Sequence, residues 1–425
     1  MRLMTFSLAD TFDTVAPHIP ARLVSPEALA LASAVAGHLP ASLTKWIYLE
    51  CRLGEEASRV DMVIEVDECG RAILADQNPV LHLPERIRAD PAWGRVRELC
   101  RQWADPRSPL HRTVAHIWLE FDVDGRGGGG APDRPPVPGV FVSLGELPTP
   151  DFTAAAWYAR ALDALRPLMG GGLPSRVAGT LRTCFDGLPA GAYVPYVGVM
   201  LSRRIDAVRL CLSGVADDEL PRYLRAIGWS AADGELATLA SVLGDMRRAA
   251  GRGVAILHLD VGETVLPRIG AEYMFERRAQ LDGQVLETAF LDHLIERGLC
   301  TPAKRDALLA WPGYSYESFR HELWRSLLVR RLNHVKVVYE PGRALEAKGY
   351  VCLFYGFHRQ RGGGSGDEGR RRVDEVPPSD RAEDVRHGTD PERTDRLAGG
   401  RDPGHVGSVS GGARAAPAGP VLVRP

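Results

Sequence analysis

Five times along this 425-residue chain two short runs with period-two alternation stand next to each other, and helical patterns fill the intervals. The runs lie at 46–53 and 59–66, 114–123 and 139–144, 192–201 and 207–215, 254–262 and 268–276, and 334–339 and 345–355. Successive side chains of a strand point to opposite faces, so each alternating run has two chemically distinct sides. WIYLECRL puts Trp46, Tyr48, Glu50 and Arg52 on one side and Ile47, Leu49, Cys51 and Leu53 on the other. In the next run Asp61 and Glu65 oppose Val60, Met62, Ile64 and Val66. The pattern continues with His116, Trp118, Glu120 and Asp122, with Arg209, Cys211 and Ser213, with His258 and Asp260, and with Arg268 and Glu272. It ends with His334 and Lys336 facing the way Glu346, Lys348 and Tyr350 face, on two runs joined by the turn-forming Glu340-Pro341-Gly342-Arg343.

Helices are expected at 26–38, where Ser25 is the N-cap and Pro26 the first residue, and at 91–104. Others are expected at 151–168 with Asp151 as N-cap, 173–187, 217–229, 233–251, 285–298, 302–311 and 315–331. Strands that arrive as neighbouring antiparallel pairs fit neither a doubly wound sheet nor a (β/α)₈ barrel, both of which alternate single strands with helices. An open ten-stranded sheet would leave two unpaired edges and a large polar surface. Closure removes the edges, places the apolar faces under helices and turns the polar faces into a lumen. The expected fold is therefore α+β: a ten-stranded antiparallel barrel built from five α-β-β-α units with helices outside. If it closes, the last pair lies against 46–52 and brings Lys336 and Lys348 near Glu50 and Arg52. An arm at 1–25, one barrel domain at 26–357 and a disordered tail at 358–425, which holds no aromatic residue, complete the division. The Gly/Pro-rich connection between Asp124 and Pro138 is expected as an exposed, flexible loop within the domain.

Composition narrows the function. A net charge of −2 and a pI of about 6.6 give no electrostatic case for nucleic acid. No apolar run approaches the roughly 18 residues of a membrane span, and no signal peptide opens the chain. The seven cysteines are scattered without a C-x-x-C, which reads as free thiols in a reducing cytoplasm, and the protein is expected to be a monomer. Nucleotide-binding glycine loops, HExxH and GxSxG are all missing. Gly170-Gly171-Gly172 reads as a helix-ending turn and Trp311 as core.

The element order resembles the prenyltransferase barrel of the ABBA aromatic prenyltransferases, over about residues 26–357. The resemblance implies a secondary-metabolism transferase that holds an allylic diphosphate with inward Arg, Lys and Tyr side chains beside an aromatic acceptor. Matching residue types are Arg52, Arg209, Arg268, Lys336, Lys348 and Tyr350. A first-strand acid orients the acceptor in indole prenyltransferases, and Glu50 stands at that element. The paired K-x-Y motifs typical of indole prenyltransferases are not both present: the fifth pair gives Lys348-Gly349-Tyr350 in that form, but Lys336-Val337-Val338 ends in valine.

On this reading the cations offset the charge of a departing diphosphate, and Trp46, Tyr48, Trp118 and Tyr350 shield an allylic cation with their π faces. Glu50, Glu120 or His258 accepts the proton lost from the acceptor. The lumen is also rich in acid, so Asp61 and Asp122 are the candidates for a bridging Mg²⁺. Two other readings stay open: a barrel that binds a polar ligand or peptide without prenyl transfer, and a two-domain α+β interaction protein whose polar faces meet solvent. Convergence of Glu50, Glu120, Arg209 and Lys348 on one cavity excludes the last.

Overall fold

The computed structural model describes residues 6–55, 59–123, 135–145, 153–203, 207–229, 233–275, 280 and 288–356. Asp151, most of the connection after Asp124 and the tail 358–425 lie outside the described residues.

Eleven strands are described: β1 (Trp46–Arg52), β2 (Val60–Val66), β3 (Ile117–Phe121), β4 (Gly139–Ser143), β5 (Tyr193–Met200), β6 (Val208–Ser213), β7 (Ile256–Val261), β8 (Val265–Met274), β9 (Gly313–Glu317), β10 (Ser326–Tyr339) and β11 (Glu346–Gly356). Ten of them close a ring in the order β1 to β8, β10, β11 and back to β1, antiparallel at every step. This is the expected ten-stranded antiparallel barrel with helices outside, the architecture implied by the resemblance to the ABBA aromatic prenyltransferases. β10 is long enough to serve two neighbours. Its second half pairs with β8 from His334↔Met274 to Tyr339↔Ile269, and its first half carries β9 as a flange outside the ring. A register shift between Leu332 and His334 marks the change. The segment 315–331, expected as a helix, is thus β9, a connection and the start of β10.

The helices follow the capping signals with small shifts. Ser25 accepts a hydrogen bond from the Ala28 amide at 3.2 Å and starts Pro26–Ala36. The helix expected from Asp151 begins instead behind Thr153, whose hydroxyl accepts from the Ala156 amide, and spans Ala154–Met169. Gly170 ends it in the left-handed region (φ 70°), as the triple glycine implied. The helix expected at 217–229 is shorter, Leu220–Ala226, because Pro221 fits only its first turn. Residues read as part of an arm form the helix Leu8–Val15, whose Leu8, Phe12 and Val15 are buried in the main core.

That core lies between the barrel wall and the helices. Ile47, Leu49 and Cys51 of β1, and Met62, Ile64 and Val66 of β2, are buried with Trp93, Trp103, Trp157 and Trp311. Trp311 also donates its indole N–H to the Arg331 carbonyl at 3.0 Å, so it is core with its polar atom satisfied. Inside the ring are two smaller apolar clusters, one around Trp46, Tyr48, Val63 and Cys352 and one around Phe141, Met200 and Cys211. A side chain at Gly198 would place its Cβ 2.5 Å from the Phe141 ring, so this glycine makes room for an inward aromatic on the neighbouring strand. Among the described residues no helix is long and apolar enough to cross a membrane.

Candidate active site

The antiparallel closure places Arg52 opposite Lys348 and Glu50 opposite Tyr350 across the β1–β11 seam. Glu50 is 3 % exposed and accepts from Lys348 Nζ at 2.7 Å, from the Arg52 guanidinium and from the Tyr350 hydroxyl. Burial alone would raise its pKa, but the charges of Lys348, Arg52 and Lys336 outweigh burial and hold the carboxyl well below the usual range. Arg52 also reaches Asp61 Oδ2 and Glu346 Oε1, each at 2.8 Å. Burial and the nearby Glu50 charge push Asp61 up to about 6, and its Oδ1 accepts from the Val123 amide. Burial, then the charges of Glu50, Glu120 and Glu272, hold the Tyr350 phenol well above its usual value, so it stays a donor.

A second network covers β6, β7, β8 and β10. Arg209 grips Asp260 with two bonds of 2.7 and 3.0 Å, the bidentate geometry of a strong pair. Glu272 accepts from His258 Nε2 at 2.6 Å and lies 3.3 Å from Lys336 Nζ and 3.4 Å from His334 Nε2. The His334 ring stacks on Tyr350 with centroids 4.0 Å apart, joining the two networks. Burial pushes His258 down to about 4, so the imidazole is neutral near pH 7. Burial and the Glu50 charge raise Glu120. Arg268 is the most open of the candidate cations and makes a 3.5 Å pair with Glu346.

The opposite end of the lumen is aromatic. Trp46 lies 4.3 Å from Phe354 between centroids, Tyr48 meets the Trp118 ring edge-on at 4.9 Å, and the Arg331 guanidinium sits 5.3 Å from the Trp46 ring. Glu50, Glu120, Arg52, Arg209, Lys336, Lys348, Tyr350, Tyr48, Trp118 and His258 therefore belong to one interior, and the polar faces do not form an outer surface.

The two acids proposed for Mg²⁺ do not fit it. Asp61 is engaged by Arg52, and Asp122 accepts from Arg203 and from the Ser202 hydroxyl. Among the described residues no group of three or more His, Cys, Asp and Glu is arranged to hold a metal ion. Arg203, Glu272, His334, Arg331 and Phe354 were not among the sequence candidates. The alternation gave the face of Glu272 and His334, but only register shows that they meet. Arg203 follows β5 in a turn and carried no periodic signal.

No protein-family model matches the chain, and no curated protein does. Solved structures similar to it include a 5-dimethylallyltryptophan synthase from Streptomyces coelicolor, 16 % identical, covering 82 % of this chain and 97 % of that one at a TM-score of 0.41. The prenyltransferase PriB in complex with product diphosphate is 16 % identical, with 81 % and 96 % covered and a TM-score of 0.43. AnaPT from Neosartorya fischeri is 13 % identical, with 73 % and 77 % covered and a TM-score of 0.39. At such identities the site has to be read from the residues of this chain.

Proposed function

We propose that the barrel transfers a prenyl group from an allylic diphosphate to an aromatic acceptor, a small molecule or a peptide side chain, bound in its lumen. The observation that carries this reading is the polarity of the interior along its axis. Arg52, Arg209, Lys336 and Lys348 lie towards the end where the hairpins turn, and Trp46, Trp118 and Phe354 lie towards the other, with Glu50, Tyr48 and Tyr350 between. A diphosphate at the first end gains from preorganised cations as negative charge develops on the leaving group. An allylic carbon pointing inward then meets the Tyr350 and Tyr48 faces, which stabilise positive charge and exclude water. Glu50, held ionised, is placed to orient an acceptor N–H or O–H. The neutral His258 imidazole and the Glu120 carboxylate are the bases for the proton released in bond formation. The seven free cysteines fit a reducing, cytoplasmic setting, and the reading needs only one copy of the chain.

One observation favours the second reading, a barrel that binds a ligand without prenyl transfer. Arg52, Arg209, Arg268, Lys336 and Lys348 each have a carboxylate partner. A diphosphate must therefore compete with internal anions. Thermal melts with dimethylallyl and geranyl diphosphate, followed by product analysis with aromatic acceptors, separate the two. Transfer predicts a stabilising shift that is lost in Arg268→Ala and Lys348→Ala, together with prenylated product. A shift without product favours binding alone, and no shift with either diphosphate overturns the proposal.

A further inference from the structure

Three neighbouring strands put a thiol, an imidazole and a carboxylate in line inside the barrel. Cys211 on β6 faces His258 on β7 in register, with Sγ 3.4 Å from Nδ1. The other ring nitrogen of His258 is 2.6 Å from Glu272 Oε1 on β8. Burial would raise the Glu272 carboxyl, but the Lys336 ammonium and the hydrogen bond donated by His258 hold it well below its usual range, so it is ionised and can only accept. Nε2 of the neutral ring must then carry the hydrogen. That choice of tautomer leaves the Nδ1 lone pair facing the thiol, which donates to it. The order is that of a nucleophile, its base and the group that orients the base.

Two features set this thiol apart from the other buried cysteines. Gly270 lies opposite His258, and a Cβ there would come within 2.8 Å of Lys336 Cε and 3.4 Å of His258 Cβ. The missing side chain lets the lysine stem and the imidazole share one layer, with the ammonium 3.3 Å from Glu272 Oε1 and its charge felt at the sulfur. On its other side Cys211 packs with Phe141 and Met200, beside Tyr196 and Ile256. Cys51 and Cys300, by contrast, donate to the backbone carbonyls of Leu49 and Thr301.

We propose that Cys211, His258 and Glu272 form a nucleophile–base–orienter relay that binds small apolar α,β-unsaturated carbonyl compounds covalently at Cys211. The soft sulfur meets an electrophile seated against Phe141 and Met200, and the Lys336 ammonium faces the oxygen on which negative charge develops. In the step the thiol proton passes to His258 Nδ1 as the S–C bond forms at the β carbon. The π electrons of the C=C bond shift towards the carbonyl to give an enolate, and the imidazolium returns its proton to the α carbon. No oxidant, reductant or leaving group is involved. This relay stands whether or not the lumen takes a prenyl diphosphate.

The pH profile distinguishes the relay from an unaided thiol. Burial pushes the Cys211 thiol up to about 12 and the His258 imidazole down to about 4, so both are neutral between these limits. The charged and titratable groups facing them are Arg209 on β6, Asp260 on β7, Glu272 on β8, Lys336 and His334 on β10, and Tyr196 on β5. An unaided thiol reacts as its thiolate, about tenfold faster per pH unit below its pKa, whereas transfer to a neutral imidazole gives a flat rate from pH 6 to 8.

The experiment is acrylamide modification of the intact protein, with each cysteine followed by peptide mass spectrometry. The expected result is that Cys211 reacts at least about tenfold faster than the buried Cys51 and Cys100, with a flat pH profile, and that His258→Gln and Glu272→Gln remove the advantage. Unchanged rates at Cys51 and Cys100 in the variants verify that the fold is intact. If one variant exposes those thiols, the pH profile of the parent protein decides. Modification of Cys211 no faster than of Cys51, a rate rising tenfold per pH unit, or an undiminished rate in a folded His258→Gln protein overturns the proposal.

Discussion

The pair Lys348–Glu50 closes the barrel across the seam between the last strand and the first, and a double-mutant cycle measures what that closure is worth. Lys348→Met leaves Glu50 with Arg52 and the Tyr350 hydroxyl, whereas Glu50→Gln leaves Lys348, among the carboxylates of the described residues, with Glu346 at 4.0 Å. Removing one member of a buried pair costs about 3–5 kcal/mol, and the partners that remain put each single change at about 3 kcal/mol. With about 2.1 cal/mol/K per residue over Met1–Arg371, the unfolding entropy is about 0.8 kcal/mol/K, so each variant melts about 4 °C lower. The double variant removes both charges and strands neither. With a coupling of about 2 kcal/mol it melts about 5 °C lower, rather than the 8 °C of simple addition. Urea denaturation and thermal melts followed by circular dichroism read these values, and a dry pair loses little coupling when salt is added. Additivity within about 0.5 kcal/mol, or a coupling abolished by salt, would refute the reasoning: the seam would then be wet, and its charges worth no more than a surface pair.

Two further predictions concern carboxylates. Asp61 has a folded-state pKa of about 6 against an ordinary 3.8, so its stabilising contribution is present below pH 4 and is lost as pH rises through 6. Asp61→Asn should thus gain about 1–2 kcal/mol at pH 7.5, after allowing for the lost bond to Arg52, with no gain at pH 4; urea denaturation at the two pH values would count against it if the gain were equal at both. Glu346→Gln removes the most exposed anion from the Arg52, Arg268 and Lys348 cluster, and calorimetry should show inorganic pyrophosphate binding about fivefold tighter, with unchanged affinity excluding that cluster as the anion site.

The ring and its two faces were legible because charged and aromatic residues alternate with Val, Ile and Leu on most strands, and burial on both sides enforces the register. From that alone the β1–β11 seam followed, and with it the meeting of Lys348 and Glu50. Where a strand lacks polar residues the signal fails. Val140, Phe141 and Val142 read alike, and only the pairing with β5 turns Phe141 inward over Gly198. The segment 315–331 misled because Glu, Arg and Leu are good helix formers, yet sheet partners on both sides of β10 override propensity there. The helix Leu8–Val15 shows the opposite omission: Leu8, Phe12 and Val15 have helical spacing, but a short segment near a chain end carries little weight by itself. Cys211, His258 and Glu272 could not be grouped in advance. They come from three strands, and only the barrel's register brings them into line.

The charge pairing of the lumen decides where an anionic ligand can enter on the prenyl-transfer reading. Glu50 and Glu272 are buried, and each is held by several donors, so displacing either leaves cations and a carboxylate without partners in a dry interior, at several kcal/mol. Asp260 is held by both arms of Arg209 and is scarcely easier to move. Glu346 differs. Its side chain is 35 % exposed, and it spans Arg52 and Arg268 at the rim, so it can swing into water at little cost. A diphosphate that replaces it gains two guanidinium groups and lies close to the Lys348 ammonium. Its organic tail then points down the lumen, past Tyr350 and the ionised Glu50, towards Tyr48 and Trp118. The acids that weaken the case for a diphosphate site elsewhere among the described residues therefore select this rim as the place where the exchange of anions costs least.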